Sequence, residues 1–277
     1  FSYLLYFPIQ GQVYYALLFF CIANIGFEMG GVFLNAYLPD IAPKEKIGRI
    51  SGYGWSFGYV GGLIALGVCY LLFVQPENPI NPLTGNLLDI NSGENYRIIN
   101  IFIAIWLGIF SLPTFLFVKD SIKTKSFRFN LIFDSFKSLR TTFQNIKEYN
   151  QILRFLLARL IYNDGLITIF AFGGIYAKAA VGFSDNDIFL FAIVLNITAG
   201  LGAFLFGFID DQIGGKNTIQ ITNIGLIIAC LLAFYAGNIN NIIIGKKIFW
   251  IAGILIGIFA GPNQAASRSF MSRLIPS

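Results

Sequence analysis

Three ionisable side chains lie within long apolar stretches of the sequence: Glu28, Asp164 and Arg159. If these stretches cross a membrane, charged groups at that depth normally face a water-filled cavity or a partner of opposite charge. The two carboxylates are candidates for carrying a proton or binding a cationic group, and the arginine is a candidate for binding an anion. Arg159 is also close enough to the end of its stretch to extend its charge to the interface, which would make it structural.

Amide side chains accompany these charges. Asn24, Glu28, Gly31 and Asn35 follow one another at spacings of four, three and four residues, so they form one stripe of an α-helix. Such a stripe predicts either the wall of a polar pathway or hydrogen bonds that only hold a helical bundle together. The neutral candidates for substrate binding or proton coupling are Asn24, Asn35, Asn163 and Asn263.

The residue types exclude several kinds of chemistry. The chain has no histidine, so Ser-His-Asp catalysis and histidine-based metal sites are absent. Its three cysteines, Cys21, Cys69 and Cys230, are far apart and lie in apolar stretches, where a thiol behaves as a small hydrophobic group. We therefore expect no catalytic site, no bound metal and no cofactor.

The elements that must position these residues are membrane-spanning helices. Of the 277 residues, 56% are apolar and only 12% are charged, and the mean hydropathy is +0.70. Apolar runs of about 20 residues predict seven complete crossings and therefore an all-α, polytopic membrane protein. The chain starts at Phe1 without a methionine, so we expect an internal fragment of a longer protein. The predicted spans are Val13 to Leu38, Ser51 to Val74, Ile98 to Val118, Ile152 to Ala177, Asp187 to Ile209, Thr218 to Gly237 and Lys246 to Ser267.

Lysine and arginine are concentrated in alternate connections, after the first, third, fifth and seventh spans, and this pattern predicts that those connections are cytoplasmic. The net charge of +5 is then a sign of topology and does not indicate a nucleic-acid partner. The longest polar stretch predicts three parts: residues 1–118, a cytoplasmic linker at 119–151, and residues 152–277. Apolar residues at helical spacing in the linker predict an amphipathic helix, lying either in the lipid interface or on the protein's own cytoplasmic end.

Glycines form a second pattern, repeating every four residues in two of the predicted spans. Small residues at this spacing allow helices to approach closely and to slide. The predicted packing glycines are Gly54, Gly58 and Gly62 in the second span and Gly257 and Gly261 in the seventh.

The loop from Gly207 to Lys216 resembles the repeated cytoplasmic loop motif of the major facilitator superfamily. Asp211, Gly214 and Lys216 match the motif, whereas Gln212 and Gly215 stand where the family usually has a basic residue. Further segments resemble the unknown major facilitator family, the branch related to fungal vacuolar amino-acid effluxers linked to autophagy. These segments are Asn24 to Glu28, Leu38 to Pro43, Gly48 to Trp55, Arg159 to Gly165, and Gly261 to Arg268.

The resemblance implies twelve helices in two halves, of which this fragment would contain the end of helix three through helix ten. The linker would then separate the two halves. By analogy with the motif, Asp211 would approach the start of the helix that opens at Ser51, near Arg49, as part of a gate. Asp211, Gly214, Lys216, Arg49 and Ser51 are therefore the predicted gating residues.

These features favour a secondary transporter that works by alternating access. The resemblance implies amino acids or similar zwitterions as the solute, with proton-coupled efflux. The expected setting is the bacterial inner membrane, with the lipid bilayer and a small solute as partners and with a monomeric protein. The alternatives are a membrane-embedded enzyme, which would need clustered acid, base or metal groups, and a channel, which would conduct without alternation.

The first prediction concerns topology. In a variant whose three native cysteines are replaced by alanine, Ser126→Cys should react with a membrane-impermeant maleimide only from the cytoplasmic side. Ser92→Cys should react only from the opposite side, because translocation of the lysine-rich connections is disfavoured. Labelling with the two sides exchanged would show that the orientation is wrong.

Overall fold

The computed structural model describes residues 1–118 and 150–274, together with Phe133, Lys137 and Thr141. Over these residues the chain forms seven helices that are long and apolar enough to cross a membrane, which confirms the predicted all-α membrane fold. The predicted linker helix lies outside the described residues. The helices are α1 (Val13–Ile41), α2 (Ile47–Cys69), α3 (Glu94–Phe117), α4 (Asn150–Ala179), α5 (Asp185–Ile213), α6 (Gly215–Asn238) and α7 (Ile242–Leu274).

Several helices extend beyond the apolar spans predicted from the sequence. The largest difference is in α7. The sequence predicted that this span ends at Ser267, but the helix continues to Leu274 and contains Pro262 in its interior. Arg268 and Arg273 were assigned to a loop and are instead part of this helix. Hydropathy detects the segment that faces lipid, whereas a helix continues wherever its polar groups find partners.

The first structural unit comprises Phe1–Tyr37 and the chain from Gly61 onwards through α3. Its core is formed by apolar residues of the end of α2, the following loop and α3, including Phe73 and Ile98. A short 3₁₀ helix, Ser2–Tyr6, is fastened to α3 because the Tyr6 hydroxyl donates a 2.6 Å hydrogen bond to Glu94. This hydrogen bond raises the pKa of Tyr6 above its ordinary value.

The second unit comprises Leu38–Val60, which runs from the end of α1 into α2, together with helices α4 to α7. Within it α7 is central, because it packs extensively on both α5 and α6 and contains more buried residues than any other described helix. Aromatic and aliphatic side chains fill its contact with α5, including Phe249 of α7, which stacks on Phe191 of α5. The division of the protein into halves at residues 118 and 152 stays a prediction.

Small residues allow α7 to approach α5 closely. A side chain at Gly257 would collide with the Leu195 carbonyl, and one at Gly261 would collide with the Ala199 carbonyl. Pro262 cannot donate to the carbonyl four residues earlier, that of Ile258. This freed carbonyl lies against Gly202 of α5, where a Cβ would not fit.

The N-terminal turns of α2 contact α5 by the same means. A Cβ at Gly52 would lie 2.5 Å from the Ala203 carbonyl oxygen and 3.2 Å from Gly207 Cα. In the described part of the chain, and apart from the neighbouring residues and the backbone of the same helix, no atom lies within 4 Å of the position that a Cβ would take at Gly58 or Gly62. The packing role predicted for these two glycines therefore stays a prediction.

The second prediction compares Gly52, where a Cβ would collide with α5, with Gly58, where it would not; both lie in α2. Gly52→Ala should destabilise the complete protein by roughly 1–3 kcal/mol, because the added methyl group forces α2 away from α5. Gly58→Ala is the matched control and should be neutral or slightly stabilising, since alanine has the higher helix propensity. Unfolding in mixed micelles measures both variants, and equal stability would contradict the close approach.

Candidate functional site

The N-terminus of α2 is held by a carboxylate from the end of α5. Asp211 accepts a hydrogen bond from the backbone N–H of Gly48 at 2.8 Å and from Arg49 Nε at 2.7 Å. Its side chain is only 4% exposed. An anion at this position satisfies free N–H groups and interacts favourably with the positive end of the helix dipole.

A second carboxylate lies beside the first. Asp210 is 1% exposed and accepts hydrogen bonds from the Ser269 hydroxyl and, at 2.7 Å, from Arg273 Nη1. Arg273 also reaches Asp211 at 3.3 Å, so it connects the two carboxylates. Two buried negative charges are thus matched by Arg273 of α7 and Arg49 of α2.

Glycines provide the space for this arrangement. A Cβ at Gly48 would lie 2.7 Å from carboxylate oxygens of both Asp210 and Asp211, and one at Gly207 would lie 2.9 Å from Arg49 Cα. The start of α2 can approach the end of α5 only because both helices lack side chains there.

Ser51 connects the same part of α2 to α7. It is fully buried, and its hydroxyl donates a 2.7 Å hydrogen bond to the Ala265 carbonyl. Arg268 donates in turn to the Ser51 hydroxyl at 2.9 Å and to the Ser51 carbonyl at 2.7 Å. We call this set of contacts the α2 docking contact. It consists of Gly48, Arg49, Ser51, Gly52 and Gly54 of α2, Gly207, Asp210 and Asp211 of α5, and Arg268, Ser269 and Arg273 of α7.

The loop motif itself has a simple structural basis. Gly214 joins α5 to α6 with φ 84° and ψ 151°, a conformation that side-chain-bearing residues rarely adopt. A Cβ at Gly215 would lie 2.8 Å from Phe270 Cβ, so the basic residue usual at that position would not fit here. Lys216 is exposed.

A polar chain links α4 to α7 near the docking contact. Arg159 Nη2 donates to Gln264 Oε1 at 3.4 Å, and Gln264 Nε2 donates to Asn163 Oδ1 at 2.8 Å. Tyr162 is paired with Ser267 at 2.7 Å. Because the single hydroxyl proton of Ser267 is donated to the Asn263 carbonyl, Tyr162 is the donor in this pair.

Asn263 connects α7 to α6. Its amide nitrogen donates to Thr222 and to Asn223, at 3.0 and 2.8 Å, and the residue is fully buried. A cavity of about 580 Å³ lies beside this group, with Tyr162 and Asn223 as polar residues in an otherwise mainly apolar wall.

Glu28 and Asp164, the two carboxylates predicted from the sequence to be functional, do not belong to this polar network. Glu28, with Asn24 and Asn35 on the same helix, is exposed on α1. Asp164 is exposed on α4. Neither side chain makes a hydrogen bond or ion pair within residues 1–118 and 150–274. Their proposed roles stay predictions.

Several residues of the network were not identified from the sequence. Asp210 directly precedes Asp211, the aspartate of the loop motif. Its position beside Ser269 and Arg273 depends on helix packing. Arg268 was assigned to a loop, although its spacing of four from Gln264 would place both on one face of a longer helix. Among the described side chains, no group of three acids or cysteines lies close enough to hold a metal ion.

These observations define an integral, multi-pass membrane protein of the major-facilitator type. The family model for "Vacuole effluxer Atg22 like" proteins matches residues 1–277. The chain belongs to this Atg22-like family, which confirms the resemblance seen in the sequence motifs.

Individual relatives support the same family assignment. The chain is 26% identical over 264 residues to the "Uncharacterized MFS-type transporter YxiO" of Bacillus subtilis, covering 94% of this chain and 57% of that protein. It is 25% identical to Autophagy-related protein 22-1 of Aspergillus fumigatus, covering 82% of this chain and 38% of that protein. For Autophagy-related protein 22 of Vanderwaltozyma polyspora the identity is 25%, with 97% and 56% covered. The chain therefore spans about half the length of these relatives, and no solved structure matches it.

The third prediction tests the docking contact. Ser51→Cys should be protected from a membrane-impermeant maleimide, because residue 51 is fully buried. Adding Asp211→Asn should accelerate labelling by about tenfold or more, since loss of a charged hydrogen bond costs about 1.5–3 kcal/mol. Asp40→Asn, at an exposed carboxylate, is the matched control and should leave the rate unchanged. Equal rates in all three backgrounds would show that Asp211 does not hold α2.

Proposed function

We propose that the complete protein is a secondary transporter that works by alternating access. Membership of a family described as vacuole effluxers supports this function, as does a relative named as an MFS-type transporter. These names favour a transporter over a membrane-embedded enzyme or a channel. The single observation that carries the mechanism is the α2 docking contact.

In this proposal the docking contact is the cytoplasmic gate. Asp211, which is itself bound by Arg273, holds the first turn of α2 through Gly48 and Arg49, and Arg268 holds the next turn through Ser51. Separation of α2 would leave buried charges without partners, which is costly unless water enters. The contact therefore favours two discrete states, one closed and one open to water.

The proposed solute is an amino acid or a similar small zwitterion, and the proposed direction is proton-coupled efflux. The resemblance to vacuolar amino-acid effluxers supports this class. Glu28 and Asp164 are the proposed groups for proton coupling or for binding an ammonium group, and Arg159 is proposed to bind a carboxylate. Asn24, Asn35, Asn163 and Asn263 are the proposed neutral hydrogen-bonding groups.

We also propose that the protein acts as a monomer in a bacterial inner membrane. The Bacillus subtilis relative, which covers 94% of this chain, supports the bacterial setting. The fungal relatives support the alternative setting of an organelle membrane. Fractionation of native membranes distinguishes the two.

The fourth prediction concerns the two acids. In proteoliposomes containing the complete protein, Glu28→Gln and Asp164→Asn should each lower proton-driven amino-acid transport by roughly tenfold or more, as expected when a proton-transferring group is removed. Glu45→Gln, at an exposed acid outside the long helices, is the control and should transport normally. Wild-type rates in both test variants would reduce Glu28 and Asp164 to structural residues.

A further inference from the structure

The hydroxyl of Ser269 has two hydrogen-bond acceptors inside the α2 docking contact. Its Oγ lies within hydrogen-bond distance of Asp210 Oδ2 and 3.0 Å from the Ala266 carbonyl oxygen. A hydroxyl carries one proton, so it can donate fully to only one of these two groups. While Asp210 is ionised, both groups can only accept, and one of the two contacts therefore lacks a hydrogen.

The surroundings of Asp210 Oδ2 leave little room for another donor. Asp210 is 1% exposed and Ser269 is fully buried. A Cβ on Gly48 would lie 2.7 Å from Oδ2, so the backbone of α2 covers this oxygen. The other carboxylate oxygen, Oδ1, accepts from Arg273 at 2.7 Å. Among the described residues, Oδ2 therefore depends on the Ser269 hydroxyl alone.

A proton on Asp210 Oδ2 would resolve this competition. The protonated carboxyl group can donate its O–H to Ser269 Oγ, and the Ser269 hydroxyl is then free to donate to the Ala266 carbonyl. The other oxygen, Oδ1, still accepts from Arg273. Each of the three contacts then has one donor and one acceptor, and no atom has to move to another partner.

The neighbouring carboxylate, Asp211, offers no such place for a proton. Its oxygens accept from the backbone N–H groups of Gly48 and Arg49 and from the guanidinium groups of Arg49 and Arg273. These groups can only donate, so a proton added to Asp211 would find no acceptor among them. Of the two buried carboxylates, Asp210 is the one whose partner can reverse the direction of its hydrogen bond.

The charged side chains around Asp210 come from every helix that packs there. They are Asp211 on α5, Arg49 on α2, Arg268 and Arg273 on α7, and Lys216 on α6. Arg49 is paired with Asp211, Arg268 donates to Ser51, and Lys216 is exposed. Arg273 and Asp211 are therefore the charges that act directly on Asp210.

These two charges are compatible with a neutral Asp210. Burial disfavours the charged form of a carboxyl group, and the adjacent negative charge of Asp211 adds to this effect. Arg273 has the opposite effect, but its guanidinium also reaches Asp211 at 3.3 Å. Arg273 therefore keeps a negative partner when Asp210 is neutral, and protonation leaves no buried cation unpaired.

We propose that Asp210 is a proton-binding site of the α2 docking contact, and that the closed contact binds this proton more tightly than the open one. When α2 separates, water supplies donors to the ionised carboxylate, and the proton is released to that water. Low pH then favours the closed contact and high pH favours the open one. The inference rests on the proposed gate and extends it, because it couples the gate to a proton.

The test makes the same substitution at the two adjacent carboxylates. Spin labels at the exposed positions Lys46 and Lys216, in the complete protein with its native cysteines replaced by alanine, report the open and closed populations. Asp210→Asn should keep the contact closed, because asparagine resembles the protonated acid: its NH₂ group can donate to Ser269 while its oxygen accepts from Arg273. Asp211→Asn should open the contact, because Asp211 accepts only from donors that favour its charged form.

The pH profile separates a proton site from a merely structural residue. Between about pH 5 and pH 8 the wild-type ratio of open to closed populations should rise with pH, by at most about tenfold per pH unit for a single proton. In Asp210→Asn this ratio should stay low and change by less than about twofold, because no proton can be released. Asp210→Ala should be equally insensitive to pH and keeps the test decisive if the asparagine variant fails to fold. Asp40→Asn, at an exposed carboxylate, is the matched control and should keep the wild-type profile.

Failure of the proton site is distinguishable from failure of the gate. If Asp210→Asn opens the contact as Asp211→Asn does, or if either Asp210 variant keeps the wild-type pH profile, the proton site is overturned and the gate stands. The same holds if the wild type ignores pH while Asp211→Asn still opens the contact. If the distance responds neither to Asp211→Asn nor to pH, the gate is overturned and the proton site with it.

Discussion

Two adjacent carboxylates, Asp210 and Asp211, are almost fully buried at the end of α5, and the position of the neighbouring helices depends on them. Buried charges are stable only when they are paired and hydrogen-bonded, and removing one partner of such a pair costs about 3–5 kcal/mol. Arg49 and Arg273 supply the pairing charges from α2 and α7. Any movement of α2 must therefore break several interactions together, which makes the contact suitable for switching between two states.

This constraint explains residue choices over a large part of the chain. Glycine is needed at positions 48, 52 and 207 because the carboxylates and helix backbones occupy the space of a side chain. Gly214 is needed because the turn from α5 to α6 has a positive φ. The same docking places Ser51 beside Arg268, and the polar face of α7 continues from there to Gln264, which contacts Arg159 and Asn163 of α4. Helix packing and charge pairing are thus parts of one arrangement.

The helices could be predicted from hydropathy because lipid-facing segments must be apolar, and the family could be predicted from the loop motif together with the other segments that resemble it. The approach of Asp211 to Arg49 was expected by analogy, and the structure brings the two residues together. Asp210 could not be found in this way, because only tertiary packing shows that it lies against Ser269 and Arg273. Arg268 was missed for a different reason: a charged residue after an apolar stretch resembles a loop residue, although the helix continues past it. Glu28 lies on a helix with almost no buried residues, so its surroundings do not follow from this part of the chain.

In the proposed mechanism the α2 docking contact opens and closes during transport. Spin labels at the exposed positions Lys46 and Lys216, in the complete protein reconstituted in nanodiscs, would report the distance between the start of α2 and the start of α6. We expect two distance populations by double electron–electron resonance, with the longer one increased by Asp211→Asn and the balance altered by the transported solute. A single population that neither the substitution nor the solute changes would contradict it.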